Sequence, residues 1–302
     1  MRAFAWFLLL FAAALAVVAL GTYPAWLLLH PHFDFPFHRI GERLGMLALA
    51  AGFLLVAGHL RLADRTSLGY GAPRPLFVRE MLVGLTLGVA TMAAVVAAMS
   101  ALGLLEWSRT AGMGAGAVAQ LLVTRLASGL AVALIEETFL RGAMYTAIAR
   151  ESRAPAAVLL TSLFYAATHF FGRVRIAPED VTPWSGVALL GQSLQAFAHF
   201  GGIVDAFLAL TAVGVVLALV RQATGNIAAC LGLHAGWVWV MLVVHELAGP
   251  CRAAPLGFLL SRFDGFVGWL VLGWTILLVW PLWRFYAARS AAIARKALSG
   301  TP

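Results

Sequence analysis

Residues 81–105 read MLVGLTLGVATMAAVVAAMSALGLL, without one charged side chain. As an α-helix this run extends about 37 Å at 1.5 Å per residue, more than the ~30 Å hydrocarbon core of a bilayer. Residues 227–244 are built the same way, apolar throughout except for one histidine. Backbone groups in lipid find no water, so such runs must satisfy their hydrogen bonds internally, as helices.

The rest of the chain follows that reading. Hydrophobic residues make up 62% of its 302 positions and charged ones 11%, too few to cover the surface of a soluble domain. The expected fold is all-α: a polytopic transmembrane helical bundle of about eight spans, at 4–29, 44–60, 81–105, 117–140, 156–171, 203–220, 227–247 and 266–283. Residues 186–200 form a shorter apolar stretch with Gln192, Gln195 and His199, expected to lie at the interface or to re-enter. Neither repeat nor low-complexity linker divides the chain, so one integral membrane domain is expected over 1–302. Residues 3–20 have the look of a signal peptide, but Thr22 onward stays apolar and aromatic with no small-x-small cleavage site. An uncleaved first span fits better.

A net charge of +8 raises the question of nucleic acid. The basic residues are scattered between apolar runs rather than gathered on one face, which argues for placement relative to a bilayer instead. With the N-terminus inside, the inner side holds Arg2, Arg61, Arg65, Arg74, Arg79, Arg150, Arg153, Arg221, Arg284, Arg289, Arg295 and Lys296. The outer side holds the shorter set Arg39, Arg43, Arg109, Arg173, Arg175, Arg252 and Arg262. The positive-inside rule therefore puts both termini in the cytoplasm. An Ala-rich composition without eukaryotic targeting signals points to a bacterial inner (cytoplasmic) membrane. The two cysteines, Cys230 in an apolar run and Cys251 in a loop, write neither a disulfide framework nor a CxxC metal site.

Ionisable groups at membrane depth cost several kcal/mol, about 2.5–3.5 on insertion scales, so each needs a partner or a function. The densest group is Glu136-Glu137-Thr138-Phe139-Leu140-Arg141. Glu137 and Arg141 are i,i+4 neighbours in the favourable acid-before-base order. Glu136 points about 100° away and is left over. A spare carboxylate there suits a general base; the plainer alternative is a solvated helix end. His169 closes an apolar stretch beginning at Thr161, and His234 sits in Leu233-His234-Ala235-Gly236-Trp237. Each imidazole alone reads as a packing residue. Converging with a carboxylate they would activate a water and stabilise an oxyanion, or ligate a metal. Ala235 and Gly236 would let a neighbouring backbone approach closely.

The ordered set EExxxR, aromatic-xxx-His and a His in an apolar helix after Thr224-Gly225-Asn226-Ile227 resembles the CPBP family. These are the CAAX-protease and bacteriocin-processing (Abi) intramembrane proteases. The resemblance covers about 117–245, the protease-like core. Its second motif is Tyr165-Ala166-Ala167-Thr168-His169, with Tyr where the family usually has Phe. Its third is His234 with Val238 four residues on, where the family usually has Asn or Asp. The resemblance implies that Glu136 activates water with His169 assisting, that Glu137 and Arg141 support it beside Tyr165, and that His234 polarises the scissile carbonyl. Losing one oxyanion donor costs about 10²–10³ in rate. Val238 thus leaves open a differently built oxyanion site or a protein that binds without cutting. Trp237 and Trp239 bring indole donors near the gap.

No cofactor is expected; if a zinc ion were held, Glu136, His169 and His234 would be its ligands, although their spacing is not HExxH. The expected activity is an intramembrane endopeptidase acting on a membrane-anchored protein or peptide within the lipid bilayer. The alternatives are a catalytically weakened relative that binds such a peptide, and a proton-coupled transporter, which would call for broken helices and repeats. Among other polar groups, His199 and Asp205 are expected in a solvated turn and Arg125 to snorkel. His245 reads as an interfacial end, and His30, His32 and His38 as part of an aromatic interfacial loop.

Overall fold

A computed structural model describes residues 1–108, 113–171 and 175–299, the side chains of 297–299 excepted; Arg109 and Arg173 of the charge count lie outside the described residues. The helices are α1 (Arg2–Leu29), α2 (Phe37–Ala57), α3 (Arg74–Ala101), α4 (Ala115–Glu137), α5 (Tyr145–Glu151), α6 (Ala154–Thr168), α7 (Ser185–Ala198), α8 (Val204–Thr224), α9 (Ala228–Leu247) and α10 (Trp269–Ser299). A π-helical turn, Thr138–Met144, joins α4 to α5 without a break.

Among the described residues, seven helices are long and apolar enough to cross a membrane: α1, α2, α3, the continuous α4–α5, α8, α9 and α10. The fold is thus the helical bundle expected. Two expected spans come out differently. That at 156–171 is the fifteen-residue α6, shorter than a full crossing. The one ending at 140 runs on to Glu151, so the Glu136–Arg141 group is not a helix end but lies well inside a 37-residue helix. Residues 186–200 form the fourteen-residue α7, packed on α1 so closely that a Cβ on Gly186 would sit 2.2 Å from the Ala19 carbonyl oxygen. That length is too short to span.

Burial orders the bundle. Of the spanning stretches, 61% of α9 and 50% of α8 are buried, against 11–22% of the others, so α8 and α9 are central and lipid-facing helices surround them. α9 begins where the Thr224-Gly225-Asn226 turn reverses the chain. Gly225 adopts φ 70°, a left-handed conformation that ends α8 without a Cβ penalty. The Asn226 side-chain oxygen then accepts the backbone N–H of Ala228 at 3.0 Å, capping the start of α9.

Small residues set the distance between α3 and α9. A Cβ on Gly84 would meet the Ala229 carbonyl oxygen at 2.5 Å and one on Gly88 that of Leu233 at 2.5 Å. In return, a Cβ on Gly232 would meet Met81 O at 2.0 Å and one on Gly236 Leu85 O at 2.8 Å. Each helix thus offers a Gly-xxx-Gly stripe to the other, the arrangement that brings membrane helices to backbone contact. The close approach expected beside His234 is present, with α3 as its partner. At the end of the bundle where α9 stops, a two-residue antiparallel pair joins Leu105–Glu106 (β1) to Gly249–Pro250 (β2).

Candidate active site

The π turn begins one residue after the paired glutamates. Such turns widen the helix and free backbone groups, often at functional sites. Here the Arg141 carbonyl accepts the Nε–H of Arg221 at 3.0 Å, from α8. Gly142 lets the turn lie against the Leu68 carbonyl, only 2.6 Å from where a Cβ would be.

Glu137 and Arg141 are both fully buried and pair at 3.0 Å through Oε1 and Nη1, as their spacing predicted. The guanidinium also donates through Nη2 to the Gly214 carbonyl at 3.3 Å and lies 4.7 Å from the Tyr165 ring centroid. α9 brings His234, also buried, to the same carboxylate: Nδ1 lies 2.8 Å from Glu137 Oε1. A carboxylate accepts, so Nδ1 carries the proton and Nε2 faces the other way. There it lies 3.9 Å from Glu136 Oε2. Glu136 is the spare carboxylate expected: its side chain is 32% exposed, and the buried Oε2 has no hydrogen-bond partner. The three groups therefore form a row, Glu137–His234–Glu136, with Arg141 fixing one end. The solvated helix end that composition alone allowed does not describe them.

α6 supplies His169 and Tyr165. His169 Nδ1 lies 2.8 Å from the Tyr165 carbonyl oxygen, and the two rings meet edge-on at 4.5 Å. Tyr165 also meets His234 edge-on, 6.0 Å between centroids. Both histidines, Tyr165 and Val238 line one cavity of about 300 Å³ between α3, α6, α8, α9 and α10, otherwise walled largely by apolar side chains such as Met92, Leu210, Met241 and Val271. The tryptophans do not fill the place of the absent carboxamide. Trp237 Nε1 donates to Thr91 Oγ1 and Trp239 Nε1 to the Leu122 carbonyl, each at 2.9 Å. By contrast, the Tyr165 hydroxyl has no hydrogen-bond partner among the described residues.

The zinc set is not assembled. Among the described residues no three His, Cys, Asp or Glu side chains stand close enough together to hold a metal ion, and His234 Nδ1 is already committed to Glu137.

Other expectations need correction. Arg125 has a partner that the sequence reading did not name: its guanidinium pairs with Glu246 at the end of α9. Asp205 is not solvated but 5% exposed, in the first turn of α8, while His199 is exposed as expected. Sequence reasoning missed Arg221, read as a loop charge, and the α3 glycines. The matching four-residue spacing of Gly84/Gly88 and Gly232/Gly236 was a signal for the latter; nothing local marked Arg221 or the π turn.

No curated protein and no solved structure matches the chain. Residues 118–240 match the family model of the type II CAAX prenyl endopeptidases, Rce1-like. That range takes in α4, the π turn, α6, α8 and the part of α9 bearing His234. Over residues 118–240, this chain is thus similar to the Rce1-like type II CAAX prenyl endopeptidases.

Proposed function

We propose that the chain is an intramembrane endopeptidase in which Glu136 is the general base. The observation that carries this reading is the row Glu137–His234–Glu136, mostly buried, with His234 facing an apolar cavity that His169 also lines. Glu136 takes a proton from a water, whose oxygen bonds to the scissile carbonyl carbon. Its free Oε2 and mainly apolar surroundings suit that work. The same proton then passes to the departing amine as the C–N bond breaks, leaving a carboxylic acid and an amine.

Glu137 plays the part of an orienting group. By accepting the Nδ1–H hydrogen bond it fixes the orientation of the His234 ring. When Nε2 also carries a proton, its N–H is a donor for the carbonyl oxygen as negative charge develops there. His169 assists Glu136 from α6. The Tyr165 hydroxyl serves as the second donor that Val238 cannot be. The cavity walls suit an apolar or membrane-anchored peptide, and a half-buried site inside the bundle suits one that enters from the bilayer. α5 ends at the loop between α2 and α3 that also meets the start of α9, and α8 begins at the opposite end of the bundle, so the chain passes between the two ends once more along the short α6. With that eighth passage, the charge distribution and composition support a bacterial cytoplasmic membrane with both termini cytoplasmic.

The test is proteolysis in reconstituted liposomes against a library of membrane-anchored peptides. Wild type should cleave, and Glu136→Ala and His234→Ala should not. A second reading, peptide binding without hydrolysis, is favoured by one observation: Val238 presents no donor to the cavity beside His234. A wild type that binds the peptides without cutting any, with binding lost in both variants, would establish it.

A further inference from the structure

A second pocket, of about 420 Å³, lies at the end of the bundle where α8 and α10 begin and α9 stops. Asp205, Arg252, Arg262, Ser261, Phe258 and Trp269 are among its lining residues. Leu260, Ser261 and Arg262 face this pocket, while Phe263, Asp264 and Val267 of the same loop face the histidine-lined cavity. The two pockets thus share a wall and remain separate.

Asp205 is the group that needs a partner. It is only 5% exposed, yet its carboxylate has neither a hydrogen bond nor an ion pair among the described residues. The start of α8 offers it the positive end of the helix dipole, which offsets part of the cost of burial but supplies no donor. A buried carboxylate left this way costs free energy unless a cation meets it. Neither arginine does so. Arg252 turns Nη2 to the carbonyls of Ser261 and Arg262, at 3.3 and 3.2 Å, and Arg262 is exposed at the rim. The pocket therefore holds one unpaired negative charge in its wall and positive charge at its mouth.

Its outer lip is apolar. Phe258 is 67% exposed and Trp269 41% exposed, at the end of a spanning helix where aromatic side chains meet the headgroup layer. We propose that this pocket binds a phospholipid whose headgroup joins a primary ammonium to a phosphodiester. The ammonium meets Asp205, the phosphate meets Arg262 and Arg252, and the first acyl carbons lie along Phe258 and Trp269. The volume suits a headgroup with its glycerol, and the exposed aromatics favour a lipid over a soluble zwitterion.

The experiment is native mass spectrometry of the full-length protein in detergent. Phosphatidylethanolamine, phosphatidylglycerol and phosphatidylcholine with identical chains are titrated separately. Wild type should hold one phosphatidylethanolamine in preference to the other two. Asp205→Asn should weaken that lipid by about tenfold or more, the worth of a charge-assisted hydrogen bond, and leave phosphatidylglycerol unchanged. Arg262→Gln should weaken both. Unchanged phosphatidylethanolamine binding by a folded Asp205→Asn would overturn the proposal. So would a wild type that binds all three lipids alike, which decides the matter if the variant does not fold. Displacement by glycerophosphoethanolamine at the same concentration as the lipid would overturn the lipid origin of the ligand.

Discussion

Oε1 of Glu137 is shared by two partners from different elements: Arg141 Nη1 at 3.0 Å within its own helix and His234 Nδ1 at 2.8 Å from α9. One buried oxygen thus couples the integrity of the bundle to the orientation of the proposed electrophile. Its neighbour Glu136 touches neither Arg141 nor any donor within hydrogen-bond distance. Two adjacent carboxylates in the same helix therefore have separable duties.

Exchanging each glutamate for glutamine separates those duties. Glu137→Gln leaves the Arg141 guanidinium buried without its counter-charge, a change worth about 3–5 kcal/mol of stability, and should lower the melting temperature in detergent as well as peptide cleavage. Glu136→Gln should abolish cleavage while shifting stability by no more than about 0.5 kcal/mol, as for a partly exposed group without partners. Equal destabilisation by the two variants would argue against the division.

Tyr165 and Val238 line the same cavity wall as His234, and they predict a paired result. Tyr165→Phe removes the uncommitted hydroxyl and should reduce the cleavage rate by about 10²-fold or more, the cost of one oxyanion donor. Val238→Asn adds a donor and should restore much of that loss in the double variant. Rates in reconstituted liposomes measure both; a Tyr165→Phe protein as fast as wild type would remove the hydroxyl from the mechanism.

The α3–α9 contact is testable by single methyl groups. Gly232→Ala would place Cβ 2.0 Å from the Met81 carbonyl oxygen, so the helices must part. A loss of about 1–3 kcal/mol is expected, with reduced cleavage because His234 lies two residues away. Gly273→Ala in α10 meets nothing within 4 Å and should be neutral or stabilising by up to about 1 kcal/mol. Thermal unfolding of the two variants side by side gives the comparison.

Thiol labelling reports on both fold and topology. Cys230 is fully buried in α9, whereas Cys251 is partly exposed in the loop after β2. The Cys251 thiol is held above its ordinary range because it donates to the Glu106 carboxylate, whose charge disfavours the thiolate. Maleimide should therefore label Cys251 slowly near neutral pH and faster as pH rises, while Cys230 resists throughout. Glu106→Ala should speed labelling at pH 7. With a membrane-impermeant reagent on sealed cells, labelling from the outside would agree with cytoplasmic termini, and labelling only after lysis would reverse the orientation.

The sequence by itself determined that this is a helical membrane bundle, because uncharged runs such as 81–105 have no other stable form in lipid. It also determined the Glu137–Arg141 pair and the spare Glu136, since both follow from the 3.6-residue period and local chemistry. What it did not determine was anything that depends on a second helix. The i,i+4 rule cannot say that His234, 97 residues after Glu137, takes the same oxygen. Nor can it say that Arg125 finds Glu246 across the bundle, or that Asp205 is buried beside a pocket. The length of the fourth span was missed because a π turn and an arginine from α8 support a charged stretch that hydropathy reads as an end. Local sequence fixes periodicity and cost; only packing decides which partner offsets that cost, because partners in a bundle come from whichever helix the small residues allow to approach.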